Sequence, residues 1–284
     1  MPRIDINRCN VEFVDQGNGQ PVVLLHSTGA SSAQWRVLID RLSARLRVIA
    51  PDFYGYGATA PWPGQGAFSL ADEAALVNTL LDGLDEPAHL IGHSYGGAVA
   101  LQVARARGRE LRSLTLIEPV AFHLLRDGDE TDTAALREII GIADTVTRSL
   151  GCGDYLGGLG RFIDYWSGPG TWASIPMGKR SGMAKSLAKV ALDFHATIND
   201  ASRLGDLERI DVPTLLMQGS RTVLPARRIC HRLALALPGA STRTIDGAGH
   251  MSPLTHRDQV NDLIVAHLDA NTVERVGVGA SLVA

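Results

Sequence analysis

Short runs of apolar residues alternate with longer stretches of helical period along most of the chain. VVLLH (Val22 to His26), RVIAPD (Arg47 to Asp52), AHLIGH (Ala88 to His93) and SLTLIEP (Ser113 to Pro119) are continuous apolar runs of strand length. TLLMQG (Thr214 to Gly219) and STRTID (Ser241 to Asp246) repeat the pattern near the C-terminus. Helical spacing marks Gln34 to Arg45, with Trp35, Leu38 and Leu42 inward, and Ser69 to Leu84, which Ser69 can cap. It recurs in YGGAVALQVARAR (Tyr95 to Arg107), Ala226 to Leu237 and Pro253 to Leu268. Continuous apolar strands separated by helices predict a mostly parallel sheet with helices on both faces, an α/β fold. Ligands of such sheets bind beyond the carboxyl ends of the strands, where His26, Asp52, Ser94 and Glu118 fall, with His250 a few residues past its strand.

The alternation stops between about Val120 and Leu204. That stretch has helical patches at Thr133 to Leu150 and Lys179 to Ile198, a Gly-rich GCGDYLGGLG and an aromatic FIDYWSGPGTW. It predicts a helical lid, 120–204, inserted between two strands of a core formed by 1–119 and 205–270. The tail, 271–284, has little periodicity and is expected to fray.

Composition narrows the chemistry. Among 284 residues, 27 are Lys or Arg and 30 are Asp or Glu, giving a formal net charge of -3 with no block of like sign. Neither a nucleic-acid surface nor a polybasic membrane patch is favoured, and no apolar run approaches the roughly 20 residues of a membrane span. Cys9, Cys152 and Cys230 are far apart and odd in number. They fit buried apolar positions in a reducing compartment better than a disulfide framework or zinc site. MPRIDINRCN lacks the apolar run of a signal peptide, so a cytoplasmic chain is expected.

The strongest chemical signal is GHSYGG, in which Gly92, Ser94 and Gly96 form G-x-S-x-G between a strand and a helix. The glycines let the chain pass closely on either side of a serine held on a sharp turn, at a helix N-terminus where N–H groups favour negative charge. Serine is a weak nucleophile without a base. His250, in GAGHMSPL after the last strand, can supply one, because Gly247 and Gly249 permit a bend back over the sheet edge. His123, His195, His231 and His256 lack such a setting. Asp52 is expected to hold loops together, and His26 and Trp35 to pack beneath the loop after the first apolar strand.

On HSTG after that strand, PDFYGYG after the next, GHSYGG, IEP and GAGH, the chain resembles the α/β-hydrolase family over most of its length. It is most similar to bacterial hydrolases with a helical lid, a group containing esterases. The resemblance implies a Ser94 nucleophile, a His250 base and an intervening acid. Many members carry that acid as Asp in a G-x-x-D segment after the lid, where this chain has GSRTVLP with Thr222 in its place. Some branches put the acid after the preceding strand, which points to Glu118; that residue could instead brace the lid entrance. Asp246 is a weaker candidate. The oxyanion donors implied are the N–H groups of Tyr95 and Thr28, with Ser27 standing where a glycine is usual.

Tyr155, Phe162, Tyr165, Trp166 and Trp172 could line an apolar acyl pocket or form the lid's own core. The expected activity is cleavage of a carboxylic ester, or a related acyl bond, of a small-molecule substrate without metal or organic cofactor, by a monomer or homodimer. Dehalogenase and epoxide-hydrolase branches need a carboxylate where Ser94 stands. The competing expectation, kept open by Thr222, is a small-ligand-binding protein with slow or absent hydrolysis.

Overall fold

The computed structural model describes residues 2–6 and 9–272. Its sheet runs β1 (Arg3–Ile6), β2 (Cys9–Gln16), β4 (Arg47–Pro51), β3 (Pro21–Leu25), β5 (Ala88–His93), β6 (Leu111–Ile117), β7 (Thr214–Gly219), β8 (Ser241–Ile245) in spatial order. From β3 to β8 every pairing is parallel, whereas β1 and β2 pair antiparallel at one edge. Those two strands were not among the elements expected. In β2 the buried Cys9 and Val11 alternate with polar neighbours, a period-two signal weaker than the continuous runs of the buried strands.

Continuous apolar strands are explained by burial on both sides. Val22 and Leu24 of β3 face one core, and Val23 and Leu25 the other, because side chains alternate across a strand. Helices α1 (Arg36–Leu42) and α12 (Arg257–Asn271) cover the first face; α2 (Leu70–Asp82), α3 (Tyr95–Arg107) and α10 (Leu224–Ala236) cover the second. The expected helix at 34–45 begins as a 3-10 turn, Ser32–Trp35, and the one at 253–268 divides into α11 (Ser252–Thr255) and α12. The expectation for the tail falls mostly on 273–284, outside the described residues, and α12 carries the chain to Asn271.

Between β6 and β7 the chain forms helices only: α4 (Glu130–Gly151), α5 (Tyr155–Ser167), α6 (Thr171–Ser174), α7 (Met177–Met183), α8 (Leu187–Asn199) and α9 (Leu204–Leu207). The patch expected at 179–198 breaks into α7, a 3-10 turn at Ala184–Ser186, and α8. The Gly-rich stretch spans the end of α4, a turn and the start of α5, and two of its glycines, Gly158 and Gly160, serve packing. A Cβ on Gly158 of α5 would lie 2.6 Å from the Cβ of Ser149 on α4 and 3.0 Å from Leu187 of α8. Among the described residues no helix is long and apolar enough to cross a membrane. Cys9 and Cys230 are buried as expected, but Cys152 is exposed, because it caps the solvent-facing end of α4.

The two kinds of glycine in this helical segment separate experimentally. Gly141 lies exposed in α4 with nothing within 4 Å of an added Cβ, so Gly141→Ala raises stability by about 0.5–1 kcal/mol through helix propensity. Gly158→Ala lowers it by about 1–3 kcal/mol through overpacking. Thermal unfolding of the two variants checks the opposite signs.

Candidate active site

The turn between β5 and α3 puts Ser94 at φ 56°, one of two described non-glycine residues with positive φ. The flanking glycines are required for contact, not flexibility. A Cβ on Gly92 would lie 2.3 Å from the Gly96 carbonyl oxygen, and one on Gly96 2.4 Å from that of Leu25. The other strained residue, Glu118 at φ 44°, follows β6 next door. The two bends are tied together, since Ser94 N–H donates to Ile117 O at 2.9 Å and Val120 N–H to Ser94 O at 3.2 Å.

His250 bridges them. Its Nε2 lies 2.9 Å from Ser94 Oγ, and its Nδ1 lies 2.7 Å from Glu118 Oε2. All three side chains are buried, with Ser94 6% exposed at the base of a cavity. A carboxylate at Nδ1 fixes the proton there and leaves Nε2 free to accept from the serine hydroxyl. Glu118 is fully buried, which works to raise its pKa, but His250, the Gly219 N–H (2.6 Å) and the Thr222 hydroxyl (2.5 Å) outweigh burial and hold it below the ordinary glutamate value. Thr222, standing where many relatives of the resembled family carry Asp, therefore donates to the carboxylate that reaches the same imidazole. Asp246, just after β8, accepts from Ser220 Oγ of the loop after β7 at 3.2 Å, and the imidazole contact belongs to Glu118.

The loop after β3 lies against the same cavity. Thr28, Ser94 and Tyr95 line one small space, and Tyr95 opens α3, where the backbone N–H has no partner within the helix. Gln34 was not singled out in the sequence, yet it organises this corner. Its Oε1 accepts from Ser27 N–H and Ser27 Oγ (3.1 and 2.8 Å), and its Nε2 lies 3.2 Å from His93 Nδ1. His93 Nε2 in turn donates to the His250 carbonyl oxygen at 3.0 Å. Burial, then the neighbouring His250, push His93 down to about 3, which keeps it a neutral strut. His26 is a second buried strut, accepting the Phe53 N–H at Nε2 (3.0 Å) and donating from Nδ1 to Ser27 O (2.8 Å). Asp52 holds loops as expected, accepting from Ser32 and Ala58 N–H groups, and Trp35 is buried in the α1 face.

The cavity over Ser94 and His250 measures about 240 Å³ and is lined mainly by apolar side chains, among them Leu159, Phe162, Ile163 and Trp166 of α5. The Trp166 ring lies on the imidazole of His250, centroids 4.1 Å apart. Three of the candidate pocket residues are elsewhere. Tyr155 is 47% exposed at the start of α5, a turn too early to reach the cavity. Trp172, half-buried, packs on Gly160 of α5 with Arg180 over its ring. Tyr165 likewise turns away, donating to Glu138 at 2.7 Å. His195 is exposed and hydrogen-bonded to Asn199.

A further buried group, Lys189 and Asp193 of α8 with Glu73 of α2, reaches the small space beside Thr28 through Asp193. No motif marks them; their only sequence signal is the Lys–Asp spacing of one helical turn. Burial raises Glu73 to about 7, against the lowering effect of Lys189.

A model of the alpha/beta hydrolase family matches residues 22–263, and the chain belongs to that family. A Synechocystis protein carrying the name of a non-heme chloroperoxidase is 27% identical over 94% of this chain and all of its own. A pimeloyl-[acyl-carrier protein] methyl ester esterase of Aeromonas hydrophila is 35% identical, over 39% of this chain and 42% of that protein. Among solved structures, an alpha/beta hydrolase enzyme from a Medee basin deep-sea metagenome library superposes with a TM-score of 0.79 at 17% identity, covering 96% of this chain and 99% of that one.

Glu73 sets a pH dependence of stability. Its folded-state pKa lies above that of an unfolded glutamate, so the folded chain binds the extra proton between about pH 4.5 and 7. The contribution is full below that window and is lost as pH rises through about 7. Glu73→Gln therefore flattens the fall in Tm between pH 5 and 8, and an unchanged slope in thermal unfolding would count against this account.

Proposed function

We propose that the chain is a serine hydrolase that cleaves carboxylic esters, or closely related acyl bonds, of a small and largely apolar substrate through an acyl-enzyme. The unbroken hydrogen-bonded line Ser94–His250–Glu118 carries this reading. His250 Nε2 takes the Ser94 proton as Oγ attacks the acyl carbon, and Glu118 stabilises the imidazolium that forms. The Thr28 and Tyr95 N–H groups receive the oxyanion, His250 returns the proton to the leaving alcohol, and water then repeats the sequence on the acyl-enzyme. These steps call for no metal or organic cofactor.

The helices between β6 and β7 act as a cap. Trp166 over the imidazole excludes water from the base, and the apolar wall of α5 receives the acyl group. Esterase chemistry is supported by the methyl ester esterase among the relatives. The competing reading, a binder with slow or absent hydrolysis, rested on the missing Asp at 222; the Glu118 contact with His250 supplies a carboxylate without it.

p-Nitrophenyl esters of increasing acyl length test the proposal. With about 0.8 kcal/mol per buried methylene, kcat/KM rises by roughly fourfold per added carbon until the cavity is full. Ser94→Ala abolishes turnover and labelling by a fluorophosphonate, and Glu118→Gln lowers kcat on the order of 10⁴-fold. A wild-type protein that resists the probe is a binder; full activity in Glu118→Gln removes that residue from the mechanism.

A further inference from the structure

The steps proposed for ester cleavage leave one buried charged cluster without a task. Asp193, 3% exposed, projects from α8 to the loop after β3. Its Oδ2 accepts from Thr28 Oγ1 at 2.8 Å and from the Tyr56 hydroxyl at 2.7 Å, while Oδ1 pairs with Lys189. Lys189 extends to Glu73 at 3.0 Å, and its ammonium lies 4.6–4.8 Å from the centres of the Tyr56, Phe68 and Tyr95 rings. Removing three ionisable groups from water is costly, and apolar residues could join α8 to the core at less expense. What the cluster provides that apolar packing does not is a fixed direction for the hydrogen bond to Thr28.

That direction matters because Asp193 is the hydrogen-bond partner of the Thr28 side chain, and Tyr56, which also bonds Asp193, engages the Gly29 backbone beside it. The loop closes as a turn, Ala30 N–H to Ser27 O at 3.1 Å, with Gly29 at φ 74°, a conformation glycine enters and leaves at little cost. Gln34 secures the Ser27 N–H on one side. The Asp193 carboxylate, locked in turn by Lys189 and Tyr56, secures the Thr28 side chain on the other.

We infer that Asp193 is a positioning residue for the reaction: through the Thr28 hydroxyl it aims the Thr28 N–H at the oxyanion, so the catalytic strength of the site depends on α8 being seated. The inference rests on the ester-cleavage reading above. It assigns to Asp193 an effect on the transition state and not on the bound ester, because the oxyanion is absent from the ground state.

Thr28→Val keeps the backbone N–H and the branched shape but removes the hydroxyl. With p-nitrophenyl esters and active sites titrated by fluorophosphonate, kcat per active site falls about tenfold while KM stays within twofold. Affinity for an alkylboronic acid, which forms a tetrahedral adduct with the serine, falls by the same factor as kcat. Thr28→Ser, which restores the hydroxyl, recovers most of the loss, and Thr28→Ala serves as a second hydroxyl-free variant should the valine not fold. Asp193→Asn moves kcat and boronate affinity in the same direction as Thr28→Val. A labelled wild type whose Thr28→Val and Thr28→Ala variants keep kcat and boronate affinity overturns the inference alone. An unlabelled wild type overturns the ester-cleavage reading and the inference with it.

Discussion

The site depends on keeping one carboxylate charged where no water reaches it. Glu118 has no exposed surface, and burial alone would favour its neutral form, which could not hold a proton on Nδ1 of His250 or balance an imidazolium. Three donors from three parts of the chain prevent that: the His250 ring, the Gly219 backbone at the end of β7, and Thr222 in the loop that follows. The arrangement needs β6, β7 and β8 in parallel order, because only then do Glu118, Thr222 and the loop bearing His250 come off the same edge of the sheet. The fold's topology is thus an electrostatic requirement as much as a packing solution.

The same edge stores strain. Ser94 and Glu118 both sit at positive φ, at a cost of about 1–3 kcal/mol each for residues with side chains. Their bends brace each other through backbone hydrogen bonds, and the glycines at 92 and 96 let neighbouring backbone approach closely enough to hold them. The double-sided apolar core beneath them, with every central strand residue of β3 and β5 buried, supplies the rigidity that keeps both in place.

How much of this could be read in the sequence follows from the range of the interactions. The strands β3 to β8 and the Ser94 turn rest on local patterns: apolar runs, helical period, glycines two residues either side of a serine. His250 and Glu118 were legible because topology sends their strand ends to a common rim. The carboxylate partner of His250 was ambiguous because its placement depends on Thr222 and Gly219, which are about a hundred residues away in the chain and meet it only once the sheet forms. Aromatic content was a poor guide to the pocket. Leu159, Phe162, Ile163 and Trp166 line it because they share one face of α5, while Tyr165 lies off that face and Trp172 belongs to another helix. A helical reading of the Gly-rich stretch would have separated them. Gln34, Lys189 and Asp193 carried no motif, and their importance lies in partners that folding brings together.

Core and insertion divide the labour unequally. Ser94, His250 and Glu118 all come from the sheet's rim, yet the site is touched on two sides by residues from the helices between β6 and β7: Trp166 on the imidazole and Asp193 on Thr28. Asp132 of α4, in ion pairs with Arg228 and Arg232 of α10 at 2.6 and 2.7 Å, binds the same helices to the core at a distance from the cavity. One attachment lies away from the cavity, and the other two reach the residues around Ser94. On the proposed reading, substrate choice and catalytic competence are then not separable properties of cap and core. A substitution that reshapes the α5 wall for a different acyl group also shifts the indole against the base, and one that loosens α8 also loosens an oxyanion donor.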